Sequence, residues 1–137
     1  MPRLSPSASR GPADPTDLHS HLPLSPTDFH LLLVLAEEDL YGYAIMKEVE
    51  EQSGGALTPE IGSLYRMIGR LVRAGLVEDL GNRVPDPSDA QGRGRPRRYY
   101  RITQLGREVV MAEAVRLRDV LGLAAARDLL PEGAGSG

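Results

Sequence analysis

Apolar positions along the chain fall into six periodic segments. The first opens at Leu24-Ser25-Pro26-Thr27-Asp28-Phe29. There Ser25 is placed to cap a helix, Pro26 suits its first position, Asp28 closes a capping box and Leu24 can staple onto Phe29. Phe29, Leu32, Leu33 and Ala36 then recur at i, i+3, i+4, i+7, which predicts one buried face and an end near Glu37-Glu38-Asp39. A second, shorter helix begins at Gly42, carries Ile45 and Val49 four apart, and closes at Gly54-Gly55. For the third, Thr58 is the cap, Pro59 the first residue and Gly75 the stop. With about 100° per residue, its Ile61, Leu64, Tyr65, Ile68, Leu71 and Val72 share one face. Gly62, Ser63, Arg66, Arg70 and Arg73 share the opposite one.

Beyond Gly75 the period changes. Leu76 to Leu80 reads as a strand, a turn-rich stretch runs from Gly81 to Gly92, and Arg93 to Arg98 leads into the aromatic, β-branched Tyr99 to Ile102. Two strands joined by a long basic loop form a hairpin. From Thr103 a helical run continues to about Leu130 with a broad apolar stripe, and at up to about 40 Å it is longer than so small a domain can cover. A helix of that kind pairs with a second chain, through Val109, Val110, Ala114, Leu117 and Leu121, with Leu32 of the first helix beside them. The order α-α-α-β-β-α predicts a mainly α fold with a small β-hairpin. It is a winged helix-turn-helix at 25–102 followed by a dimerisation helix at 103–130. Residues 1–24 hold five Pro without any period and read as a mobile arm, and 131–137 read as a flexible tail.

Composition narrows the chemistry. The 137 residues contain no Cys, no Trp and one Phe, which excludes disulfides, thiol catalysis and Cys-ligated zinc and weakens the case for a stacking pocket. The three histidines are His19 and His21 in the arm and His30 on a helix, so no catalytic triad or metal site is expected, and no cofactor. No apolar stretch is long enough to span a membrane, and a cytoplasmic protein is the expectation. Taken as a total, the formal charge of −3 argues against nucleic acid. Resolved along the chain, it is two opposed blocks. Asp14 to Glu60 carries ten acidic side chains against Lys47 alone, whereas Arg66 to Arg107 carries ten arginines against four acids. The cations therefore concentrate on the third helix and the hairpin loop, the two elements that a winged helix lays against DNA.

The strings Leu40-Tyr41-Gly42-Tyr43, Gly62-Ser63-Leu64-Tyr65-Arg66, Gly75-Leu76-Val77, Gly94-Arg95-Pro96-Arg97-Arg98-Tyr99-Tyr100-Arg101-Ile102-Thr103 and Gly106-Arg107 resemble the PadR-like transcriptional regulators over about residues 25–124. The resemblance implies a homodimeric winged-helix protein, usually a repressor, that binds palindromic double-stranded operators and is released by a small molecule or other signal. It also implies DNA contacts at Tyr43, Ser63, Tyr65, Arg66, Arg95 and Arg97. Charge and placement add Lys47, Gly62, Arg70, Arg73, Arg93 and Arg98 to that set. Tyr65 reads equally well as a packing residue. Three features depart from the family pattern: the loop from Gly81 to Gln91 is long and acidic, Gly69 softens the third helix, and the chain has no Trp on which multidrug-binding relatives stack planar ligands, so that ligand class is not carried over. The competing reading is a winged helix that binds a basic protein through its acidic first half, without DNA.

Overall fold

The computed structural model describes residues 18–83 and 97–131. A short 3-10 turn at Leu18–His21 precedes α1 (Pro26–Glu37), β1 (Leu40–Tyr41), α2 (Gly42–Gln52), α3 (Ile61–Arg73), β2 (Val77–Arg83), β3 (Arg97–Ile102) and α4 (Gln104–Ala126). The strands form one antiparallel sheet in the order β1-β3-β2. The expected hairpin is present and has gained a third strand, because the two residues Leu40 and Tyr41 pair with Tyr100 and Tyr99. A two-residue strand has no readable period, so only its partner reveals it.

The local signals at the helix ends act as their chemistry requires. Ser25 Oγ accepts the Asp28 N–H at 3.1 Å. The Asp28 carboxylate does not complete a capping box; it turns away to Arg70. Helix α3 starts two residues later than Thr58-Pro59 suggested, since Glu60 is still extended and its carbonyl takes the first helical bond from Leu64 at 2.8 Å. At the other end Gly75, at φ 84°, donates to the Val72 carbonyl and Leu76 donates to that of Leu71, both at 3.0 Å, closing the helix and turning the chain into β2. Thr103 joins three elements: its Oγ1 caps Gly106 N–H at 2.9 Å and donates to the Gly75 carbonyl at 2.7 Å. Gly106 leaves no room for a side chain against the Leu76 carbonyl, so α4 is pressed onto the start of β2.

The core gathers Leu31 and Leu35 from α1, Ile45 and Val49 from α2, Leu64, Ile68 and Leu71 from α3, Tyr100 and Ile102 from β3, and Val109 from α4. Each fully buried aliphatic side chain stabilises the fold by about 1.5–3 kcal/mol. In α1 the expected stripe is only partly right. Leu31, Leu32, Val34 and Leu35 are the buried residues, while Phe29, Leu33 and Ala36 are half-covered, because α2, α4 and the sheet surround the helix on more than one side. Residues 18–24, expected to be mobile, are docked: Leu18, Leu22 and Leu24 pack on the core and Leu24 N–H donates to Glu113 at 3.2 Å.

Three residues of the expected dimer face are covered within the chain itself. Leu32, Val109 and Val110 lie in the chain's own core. Ala114, Leu117 and Leu121 remain on the outer part of α4.

Candidate nucleic-acid interface

Helix α3 is held by its inner face and open on the other. Leu64, Ile68 and Leu71 are buried, whereas Gly62, Arg66, Arg70 and Arg73 are exposed and Ser63 is half-covered. No acidic residue occurs anywhere in the helix. Ile61, expected on the core side, is exposed, because it begins the helix ahead of the packed turns. Arg66 Nη2 donates to Ser63 Oγ at 3.0 Å, keeping its guanidinium back along the helix.

Arg70 has a partner that the sequence did not reveal. Its guanidinium makes a two-pronged ion pair with Asp28 of α1, at 2.9 and 3.1 Å. Asp28 is nearly buried and Arg70 half-exposed, so the arginine neutralises a carboxylate that would otherwise lie uncompensated in the fold. The same bond to Asp28 raises the Arg70 pKa further above its ordinary value. Among the described residues, Arg70 is the one cation of α3 with a carboxylate partner, and it tethers the helix to α1.

Tyr65 is half-exposed, and its phenol lies so close over Gly42 that any side chain there would overlap it, with one ring carbon at 2.7 Å from the position of a Cβ. Its packing role is therefore present: it fixes α3 against the first turn of α2. Tyr43, the next residue after Gly42, is exposed at that same turn, and Lys47 is exposed one turn further on.

The base of the wing reaches the same corner. Strand β1 brings Tyr41 beside Tyr99, with ring centroids 5.6 Å apart, and the Arg97 guanidinium stacks 4.4 Å above the Tyr41 ring. Tyr41 also immediately precedes α2, so one aromatic ring links the wing to the start of the helix-turn-helix. Sequence reasoning missed that role, since the contact spans 56 residues of chain and only the strand pairing creates it. Arg98 is drawn to Asp79 of β2 by two bonds of 2.9 and 3.0 Å. Between Asp79 and Gly81 the register shifts, leaving Leu80 as an extra residue that bends the strand. Behind this pair, burial, with Asp79 adding to it, raises the pKa of the Tyr100 hydroxyl above its ordinary value. Arg93 and Arg95, expected at the wing tip, lie outside the described residues.

Tyr43, Tyr65, Ser63, Arg66, Arg97 and the Tyr41 ring thus belong to four elements, α2, α3, β3 and β1, that meet around the start of α2, with Arg73 further along α3. Among the described residues no group of His, Cys, Asp and Glu is arranged to hold a metal ion, and no helix is long and apolar enough to cross a membrane.

Three comparisons place this arrangement among known proteins. Among solved structures, a PadR family transcription regulator from hypervirulent Clostridium difficile R20291 is similar with TM-score 0.59 and 22% identity, covering 74% of this chain and 97% of its own. A transcriptional regulator from Clostridium thermocellum gives TM-score 0.56 and 22% identity, over 77% of this chain and 90% of that one. Bacillus subtilis PadR in complex with operator DNA gives TM-score 0.52 and 20% identity, over 66% of this chain and 47% of that one. These likenesses establish the winged-helix fold. No curated protein matches the chain. The family described as transcriptional regulator PadR-like matches residues 31–112, from the core of α1 through the helix-turn-helix and sheet into α4. The chain therefore belongs to the PadR-like family, a family of transcriptional regulators and not of enzymes.

Proposed function

We propose that this protein is a sequence-specific DNA-binding regulator that acts as a homodimeric repressor on a palindromic operator and is released by a signal. The observation that carries the reading is the outer face of α3, which presents Ser63, Arg66 and Arg73 with no acid in the helix, while its inner face is committed to the core. Bacillus subtilis PadR, which shares the fold, is a protein solved on operator DNA.

In this mechanism α3 enters the major groove, with Ser63 and Arg66 toward base edges and backbone. Tyr43 and Lys47 face phosphates at the start of α2, and Arg97 and Arg98 at the base of the wing face flanking phosphates. The outer part of α4, where Val115, Val120, Leu121 and Leu123 are exposed, pairs with the same surface of a second copy. Such pairing sets two recognition helices about one DNA turn, ~34 Å, apart. A signal acts by changing that spacing. The acidic residues of the first half keep the free protein soluble and limit non-specific binding.

The test is a gel shift with DNA from the protein's own promoter region at two salt concentrations. A dimer contacting about 6 to 10 phosphates weakens about 10³- to 10⁵-fold between 50 and 200 mM salt. Failure to shift DNA at either concentration favours the winged helix as a protein-binding module.

A further inference from the structure

Most glycines of the described chain have a conformational or packing reason. Gly75 turns the chain at positive φ, and Gly42 and Gly106 are seats for close contacts. Gly62 and Gly69, like Gly122 of α4, have neither. Both sit inside α3 with ordinary helical backbone, and a Cβ at either would meet nothing closer than 3.5 Å. Glycine weakens a helix relative to alanine, so α3 carries two destabilising residues that the fold of the chain does not use.

What lies over each glycine is an arginine four residues on. Arg66 Nη1 is 3.8 Å from the Cβ position of Gly62, and Arg73 Nη1 is 3.5 Å from that of Gly69. The unit is repeated: Gly62 and Arg66, then Gly69 and Arg73, seven residues further along. All four fall within about 60° around the helix. Each guanidinium folds back over the preceding turn, where the missing side chain leaves its flat fork close to the helix surface. Arg70, which separates the two units, is withdrawn from the face by Asp28. Seven residues advance a helix by about 10.5 Å, and three base-pair steps advance DNA by about 10.2 Å.

We propose that Arg66 and Arg73 are a matched pair of guanine readers, each donating its fork to O6 and N7 of one guanine, with the two guanines three base-pair steps apart in a half-site. Gly62 and Gly69 let the groove edge approach the helix closely enough for both forks to engage. This rests on the DNA-binding reading above, and it makes Arg73 a specificity-determining residue on equal terms with Arg66.

The test is selection of bound sequences from a pool of random duplexes by the full chain, followed by titration of the selected duplex. The wild-type protein is expected to enrich two guanines at that spacing. Arg66→Ala is expected to lose preference at one of them and Arg73→Ala at the other, each weakening the selected duplex about tenfold or more. Arg73→Lys keeps the charge and loses the fork, and is expected to lose the guanine preference as well. Gly69→Ala is expected to raise Tm while weakening the selected duplex, a combination that a merely flexible helix does not produce. The proposal is overturned if Arg73→Ala weakens every duplex equally, if Arg73→Lys keeps the motif, or if Gly69→Ala keeps full affinity. A wild-type protein that binds no duplex at all overturns the DNA-binding reading itself, a result distinct from these.

Discussion

Helices α3 and α4 are built alike on the inside and oppositely on the outside. Each buries one run of aliphatic residues in the same core: Leu64, Ile68 and Leu71 from α3, and Val109 and Val110 from the first part of α4. Outside, α3 shows Gly, Ser and Arg, while α4 beyond Glu113 shows Val115, Val120, Leu121 and Leu123 to solvent. Burial therefore explains where each helix sits, and the outer faces state what each lacks. A cationic face is stable in water and needs no protein against it. An apolar face of that length is a loss in water until another apolar surface covers it.

The sharpest way to break this contrast is to charge the inner face of α4. Val109→Asp places an unpaired carboxylate where the side chain is fully buried, and is expected to abolish the fold, at a cost above about 4 kcal/mol, read as loss of the helical circular-dichroism signal. A folded monomer would instead make Val109 part of a dimer face. Within α3, Arg70→Ala strands the buried Asp28 and is expected to lower stability by about 3 kcal/mol in denaturant unfolding. Arg73→Ala, on the outer face, is expected to stay within about 0.5 kcal/mol of the parent. Equal effects of the two would dissolve the distinction between a tether and a reader.

Leu121→Glu probes the outer face of α4. It is expected to leave the protomer folded and to weaken self-association by about 2 kcal/mol, visible as monomers in analytical ultracentrifugation. An unchanged sedimentation coefficient would move the dimer contact elsewhere.

The smallest effect concerns Glu113, the buried carboxylate at the point where α4 changes from covered to open. Its bonds to Arg116, at 2.7 and 2.8 Å, hold its pKa below the ordinary 4.5 against the opposing effect of burial, and the Leu24 N–H adds to them. A depressed folded-state pKa stabilises the protein above the unfolded value, and that contribution disappears as pH falls through the folded value. Glu113→Gln is therefore expected to flatten the loss of stability with acid below about pH 4.5. A parent and variant with parallel acid limbs would show that the clip at Glu113 adds nothing.

Features set within one or two turns of chain were legible in the residues. Ser25 as cap, Gly75 as stop, Thr103 as the start of α4, and the amphipathic split of α3 depend on neighbours three to seven positions away, and local geometry decides them. The arginine-rich block on α3 and the hairpin was legible too, because charge is a property of sequence. Partners distant along the chain were not. Asp28 reads as a capping acid until α1 and α3 pack and bring Arg70 to it across 42 residues. Val109 and Val110 belong to the same apolar stripe as Leu121, and periodicity cannot say at which residue the chain's own core stops covering it.

By itself the sequence determined the order of the four helices and the hairpin, the cationic face of α3 and the excess apolar surface of α4, since hydrophobic period, cap chemistry and charge are local. Only the tertiary structure decided which arginine of α3 is a tether, which part of α4 is core, and that Leu40 and Tyr41 form a strand carrying Arg97 to the start of α2. Each of those depends on two segments meeting in space, and the free energy of such a meeting comes from burial and pairing that neither segment possesses alone.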